Sequence, residues 1–149
     1  MRLFCGTLPQ GFVNIPGTAN DYWTNYISEE TTGLGNSVFC YTGYGQLTII
    51  DGIRATGSYS DNVAVHCAAS TIPSWGMNCA WSPWFSEEQG DFGQSFDVSP
   101  QSNAWAVAVG VRCSNSYCDN MSYYICEPKC RSNADCFSAC NADGVCVVG

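Results

Sequence analysis

Two pairs of neighbouring carboxylates, Glu29-Glu30 and Glu87-Glu88, and two Asp-Asn pairs, Asp61-Asn62 and Asp119-Asn120, are the densest polar chemistry in the chain. They supply hard oxygen donors of the kind Ca2+ takes, or acceptors for sugar hydroxyl groups. Tyr59 and Tyr117 stand just before the two Asp-Asn pairs. With Tyr26 and Trp84 they add flat rings able to stack on the apolar face of a sugar. The same residues also have a purely structural reading. One Glu of each pair would balance Arg54 or Arg112, the Asp-Asn elements would make turns, and Trp23 and Trp81 would belong to the core. No EF-hand spacing is present, which leaves Ca2+ without a dedicated loop.

These motifs come as a duplicated set. Sliding the chain on itself places Trp23 on Trp81, an offset of 58. The same offset pairs Ser28-Glu29-Glu30 with Ser86-Glu87-Glu88, Gly52 with Gly110, Arg54 with Arg112, Ser58-Tyr59 with Ser116-Tyr117 and Asp61-Asn62 with Asp119-Asn120. No gap is needed between Trp23 and Asn62, which reads as two copies of one supersecondary unit. Copy one covers about 23–67 and copy two about 81–126, joined by the turn-rich AASTIPSWGMN.

The elements that must position the motifs are strands. QLTIIDGIRA and NAWAVAVGVRC are β-branched and aromatic runs, and NVAVHC and NMSYYIC follow each after a polar turn. That pattern predicts a hairpin in each copy, with Tyr-x-Asp-Asn at its turn. No window carries a helical stripe, so the reading is an all-β, disulfide-rich fold in which two β units share a core over 1–126, followed by a cystine-rich tail over 127–149.

Eleven cysteines in a chain with one histidine and five Lys plus Arg point to disulfides rather than metal or redox chemistry, and so to a secreted, extracellular protein. Cys113 and Cys118 of copy two are Ala55 and Ser60 in copy one; losing both together predicts that they pair with each other. Cys40 and Cys67 are then the staple of copy one. Cys5, Cys79, Cys126, Cys130, Cys136, Cys140 and Cys146 stay unassigned, and the odd total leaves one of them for a bond between chains or a free thiol. MRLFCGTLPQGF is too short and too polar for a signal peptide, so any export signal is expected outside this sequence.

A net charge of -8 excludes a nucleic-acid binder, which needs clustered cations. The longest apolar run, AWAVAVGV, is far too short to span a bilayer, so no membrane insertion is expected. Catalysis is disfavoured as well. His66, the only histidine, adjoins Cys67, already assigned to a disulfide, and is Tyr124 in copy two, which argues against a nucleophilic triad. Carboxylate pairs repeated in each copy would make an unusual glycosidase. Asn120-Met121-Ser122 is a glycosylation sequon within the motif itself.

The pattern Trp, Ser-Glu-Glu, Gly-x-Arg-Cys-x-x-Ser-Tyr-Cys-Asp-Asn and a closing Cys resembles a tandem module of secreted cysteine-rich proteins, covering about 23 to 126. That resemblance implies secretion and a disulfide-stapled β unit. The tail spacing Cys130-x5-Cys136-x3-Cys140-x5-Cys146 resembles the later part of knottin miniproteins such as the squash trypsin inhibitors. It lacks the cysteine expected shortly after Cys140, and only three residues separate Cys126 from Cys130, too few for an inhibitory loop. The resemblance therefore implies a cystine-rich fold, with protease inhibition a distant alternative. The leading expectation is a non-enzymatic binding or adhesion module, without a cofactor unless Ca2+, whose ligand residues are Glu29, Glu30, Tyr59, Asp61, Asn62, Glu87, Glu88, Tyr117, Asp119 and Asn120 and whose partner is a glycan or extracellular surface. The alternative is a self-associating structural subunit of an extracellular coat or fibre.

Overall fold

The computed structural model describes residues 21–28, 36–40, 46–57, 62–73, 77–86, 106–114, 118, 120–136 and 139–147. Over these residues the fold is all-β and disulfide-rich, with a 3-10 turn at Asn133–Asp135 and no α-helix. The first sheet holds β1 (Tyr22–Trp23), β2 (Ile27–Ser28), β4 (Gln46–Thr56) and β5 (Asn62–Pro73). The second holds β3 (Ser37–Phe39), β6 (Met77–Trp81), β7 (Phe85–Ser86), β8 (Val107–Ser114) and β9 (Asn120–Pro128). A third ribbon pairs β10 (Ala139–Cys140) with β11 (Cys146–Val147).

Strand periodicity explains which residues go inside. Val63, Val65 and Cys67 of β5 join Ile27, Cys40, Val111, Cys113, Cys118 and Met121 in one buried cluster drawn from both sheets. Alternate positions Ala64, His66 and Ala68 point to the other face of β5, as the two-residue period requires. Tyr123 packs against this cluster, and burial pushes its hydroxyl pKa above the ordinary tyrosine value.

The registers of the first sheet recur in the second with 58 added to both numbers. Trp23 faces His66 as Trp81 faces Tyr124, and Ile27 faces Val63 as Phe85 faces Met121. In the hairpins, Gly52 faces His66 as Gly110 faces Tyr124, and Arg54 faces Ala64 as Arg112 faces Ser122. Even the bulges correspond, lying between Ile50 and Gly52 in β4 and between Ala108 and Gly110 in β8. Each bulge inserts one residue, Asp51 or Val109, without a partner across the ladder.

β1 and β2 run along the same side of β5, and β6 and β7 along the same side of β9, each pair interrupted for three residues. The interruption is held by a hydroxyl. The Val65 N–H donates to Thr24 Oγ1 at 3.1 Å, and the Tyr123 N–H donates to Ser82 Oγ at 2.9 Å. Thr24 N–H and Ser82 N–H in turn donate to the Val65 and Tyr123 carbonyls. Ser82 Oγ also donates to the Pro83 carbonyl, and buried Ser122 donates to the Ser82 carbonyl at 2.8 Å. Removing the hydroxyl strands a main-chain donor away from water, so Ser82→Ala should cost about 2 kcal/mol in chemical denaturation. Ser82→Thr, which installs the residue found 58 positions earlier, should cost clearly less.

The chain crosses between sheets at β3, which lies beside β8 with Ser37 facing Arg112 and Phe39 facing Gly110. The Cys40 N–H continues the contact by donating to the Val109 carbonyl at 2.7 Å. Cys40 therefore sits at the end of a second-sheet strand while Cys67 is in the first sheet. Their disulfide, the bond expected within copy one, also ties the two sheets together. Cys113 bonds Cys118 across the β8–β9 turn, and Cys118 takes a left-handed backbone with φ 53°. Asn62 and Asn120, expected in the turns, are instead the first residues of β5 and β9. Cys79 bonds Cys126 directly across β6 and β9, with a Cα separation of 4.1 Å.

In the tail, Cys130–Cys140 and Cys136–Cys146 interlace, each spanning 10 residues. Buried Asp135 accepts the N–H groups of Arg131 and Ser132, and Asn141 Oδ1 accepts those of Asp143 and Val145 around a turn in which Gly144 has φ +72°. The five disulfides consume ten of the eleven cysteines of this sequence and leave over Cys5, which lies outside the described residues.

Candidate functional site

The registers bring the two repeated arginines onto aromatic rings. The Arg54 guanidinium lies 4.4 Å from the Trp23 ring centre and 4.9 Å from that of Tyr26. Arg112 lies 4.2 Å from Trp81 and 4.4 Å from Trp84. Fully buried Ala64 and Ser122, directly across the ladder, are small enough to leave the arginines room along the sheet face. The planar, weakly hydrated guanidinium suits this position, because it stacks where an ammonium group would need its water shell. Arg112 Nε is buried without a hydrogen-bond partner, so the two indole faces are what offset its desolvation. Among the described residues no carboxylate forms an ion pair with either arginine.

Solvent reaches the outer parts of these rings. Trp23 is 40% exposed, Tyr26 39% and Trp84 43%, so Trp23 is a surface residue and not the core residue of the structural reading. In the second sheet the surface is broader. Phe39, 46% exposed, sits edge-on to Trp81 and Tyr124 with ring centres 5.6 Å away in each case, and Trp81 and Tyr124 are 4.9 Å apart. Phe39 can approach because Gly110 beneath it has no side chain: a Cβ there would lie 2.5 Å from the ring. The result is a contiguous aromatic surface of Phe39, Tyr124, Trp81 and Trp84 with Arg112 set into it.

The first sheet differs at the corresponding place. His66 takes the position of Tyr124, with its ring 5.0 Å from Trp23. Its Nδ1 is 2.6 Å from Asp51 Oδ1, and its Nε2 is 3.3 Å from Asp21 Oδ1. Asp51 is the inserted residue of the β4 bulge, which brings it beside the ring; Val109, inserted by the β8 bulge, is buried among Ile49, Val107 and Cys126.

Of the residues expected to bind ligand, Asn62 and Asn120 are described. Asn62 faces Ser28 and Thr56, and Asn120 faces Ser86 and Ser114, both half-buried at strand ends. Glu29, Glu30, Tyr59, Asp61, Glu87, Glu88, Tyr117 and Asp119 lie outside the described residues. The sequence reading missed Phe39, Asp21 and Asp51, and it treated Arg54, Arg112, Trp23 and Trp81 as structural. The signal for the last four was their retention at the offset of 58. Cys130, Cys136 and Cys140 also cluster in the manner of metal ligands, but their sulfurs are bonded in disulfides and are not thiolates. Comparison with known protein families, curated proteins and solved structures finds no match. Among the described residues no helix is long and apolar enough to cross a membrane.

Proposed function

We propose that this is a non-enzymatic extracellular binding module that engages a glycan or glycan-bearing surface through its two aromatic–arginine faces. The observation that carries the reading is the recurrence of a partly exposed aromatic pair with an arginine between its rings, Trp23/Arg54/Tyr26 and Trp81/Arg112/Trp84. Rings held by a stacked guanidinium lose little conformational freedom when a ligand arrives, and ring faces suit the C–H faces of sugars. Two such faces on one body gain avidity on a repetitive polysaccharide. Five disulfides are consistent with an oxidising, extracellular setting. A second reading, a self-associating coat or fibre subunit, draws support from Cys5, which the disulfide pattern leaves over for another chain.

Pull-down on insoluble cellulose, chitin and xylan, followed by a glycan array, tests the proposal. Binding to at least one polysaccharide is expected, with Tyr26→Ala and Trp84→Ala each weakening it about tenfold or more and the double variant abolishing it. Retention of both variants at wild-type strength, or no binding by the wild-type protein, would count against a glycan ligand. Covalent multimers that collapse on reduction would favour the coat subunit.

A further inference from the structure

We propose that Asp21 and His66 form a binding site for a first-row divalent cation of the zinc class, with Asp51 as the group that orients the histidine. The geometry begins with one proton. A neutral imidazole carries a single N–H, and the Asp51 carboxylate oxygen 2.6 Å from Nδ1 claims it. Nε2 is then a lone pair, and it faces Asp21 Oδ1 at 3.3 Å. Two lone pairs so close call for a positive charge between them, either a second ring proton, which would make the contact an ion pair, or a metal ion. Tetrahedral zinc, with bonds to nitrogen and oxygen of about 2.0–2.2 Å, holds such ligand atoms about 3.3 Å apart. A carboxylate accepting the distal ring hydrogen of a ligating histidine is the usual outer partner of a zinc site, fixing the tautomer and raising the basicity of the ligand nitrogen. Imidazole and carboxylate together suit zinc, nickel and copper rather than Ca2+.

The sheet registers supply a second, independent argument. Asp21, Asp51 and His66 correspond, at the offset of 58, to Cys79, Val109 and Tyr124. The framework thus accommodates a disulfide sulfur, an isopropyl group and a phenol at these places, so the polar trio is not a requirement of the fold. More pointedly, Cys79 is the residue that bonds β6 to β9 through Cys126, whereas the partner position in the first sheet is Ala68. An ion shared by Asp21, next to β1, and His66, in β5, would join the strands that correspond to β6 and β9. The metal occupies the place of a cross-link that the first sheet lacks.

His66 is the only histidine, so the imidazole nitrogens of protein labelled with 15N-histidine report on it without ambiguity. Zinc chloride titrated to about 1 mM into the oxidised full chain should move the Nε2 resonance to that of a metal-bound nitrogen, leave Nδ1 protonated, and raise the thermal midpoint. Asp21→Asn should weaken zinc binding at least tenfold, and Asp51→Asn by about 10–100-fold. His66→Tyr, which installs the residue found at position 124, should abolish binding while the five disulfides still form, as peptide mapping without reduction would show. The proposal is overturned if zinc leaves the ring resonances unmoved, if Asp21→Asn binds as tightly as wild type, or if His66→Tyr binds zinc equally by calorimetry. Two protonated ring nitrogens that persist in excess zinc would overturn it as well, by showing that a proton fills the gap.

Discussion

Replacing Cys79 and Cys126 together by alanine is expected to lower the free energy of unfolding by roughly 4 kcal/mol. The bond spans 47 residues, and a cross-link restricts the unfolded chain more as the loop it closes lengthens. It also joins residues directly opposed across neighbouring strands, so the folded state keeps its ladder when the sulfurs are removed. The fitting comparison is Cys113→Ala with Cys118→Ser, which reproduces Ala55 and Ser60 of the first half. That bond closes only five residues, and its loss is expected to cost roughly 2 kcal/mol. Guanidinium denaturation of both double variants, with the remaining four disulfides verified by mapping, checks the order. Equal losses would mean that the two cross-links act mainly through the folded state. Since domains are commonly stable by only about 5–15 kcal/mol, removal of the long cross-link should also be evident as a sharply lower thermal midpoint.

Gly110→Ala is expected to cost about 3 kcal/mol, although alanine adds one carbon. The new Cβ would stand 2.5 and 2.8 Å from two atoms of the Phe39 ring and 3.2 Å from Tyr124 Cβ. The backbone side is fixed by the ladder, so the ring is what must leave. Its departure forfeits the edge contacts to Trp81 and Tyr124, about 0.5–1.5 kcal/mol each, together with the apolar area Phe39 covers. Gly52 is the built-in control, because the corresponding Cβ would meet His66 Cβ at 3.1 Å and Trp23 only at 3.5 Å. Gly52→Ala should therefore cost markedly less. Near-UV circular dichroism separates the mechanisms: loss of aromatic ellipticity in Gly110→Ala but not in Phe39→Ala/Gly110→Ala relative to Phe39→Ala would show that the displaced ring accounts for the damage.

The all-β character was legible because β-branched residues alternate through QLTIIDGIRA and NVAVHC, and the hairpins because a polar turn separates those runs. Cys113 and Cys118 could be paired because their counterparts vanish together. Other features depend on contacts that no local pattern encodes. Ser-Val-Phe at 37–39 carries no mark of its partner, so the crossing of β3 into the second sheet was invisible, and with it the inter-sheet role of Cys40–Cys67. Arg54 was matched to a glutamate on charge alone; its rings come from residues 31 and 28 positions earlier, aligned only once β1, β4 and β5 are in register. Asp51 needed a bulge to reach His66, and the composition of the strand gives no sign of one beyond Gly52.

The three-residue interruption between β6 and β7 has a bearing on how molecules of this kind meet. These strands form one rim of the second sheet, where unpaired main-chain groups are the usual template for recruiting a neighbouring strand. Here the rim is broken by Ser82-Pro83-Trp84: the Ser82 hydroxyl is turned inward to β9, Pro83 has no N–H to offer, and Trp84 is folded over Arg112. A second chain cannot lay a continuous ladder along such a margin. Strand addition along the whole of this rim is interrupted by the same residues that hold the aromatic face, so association across Ser82-Pro83-Trp84 would have to proceed through side chains.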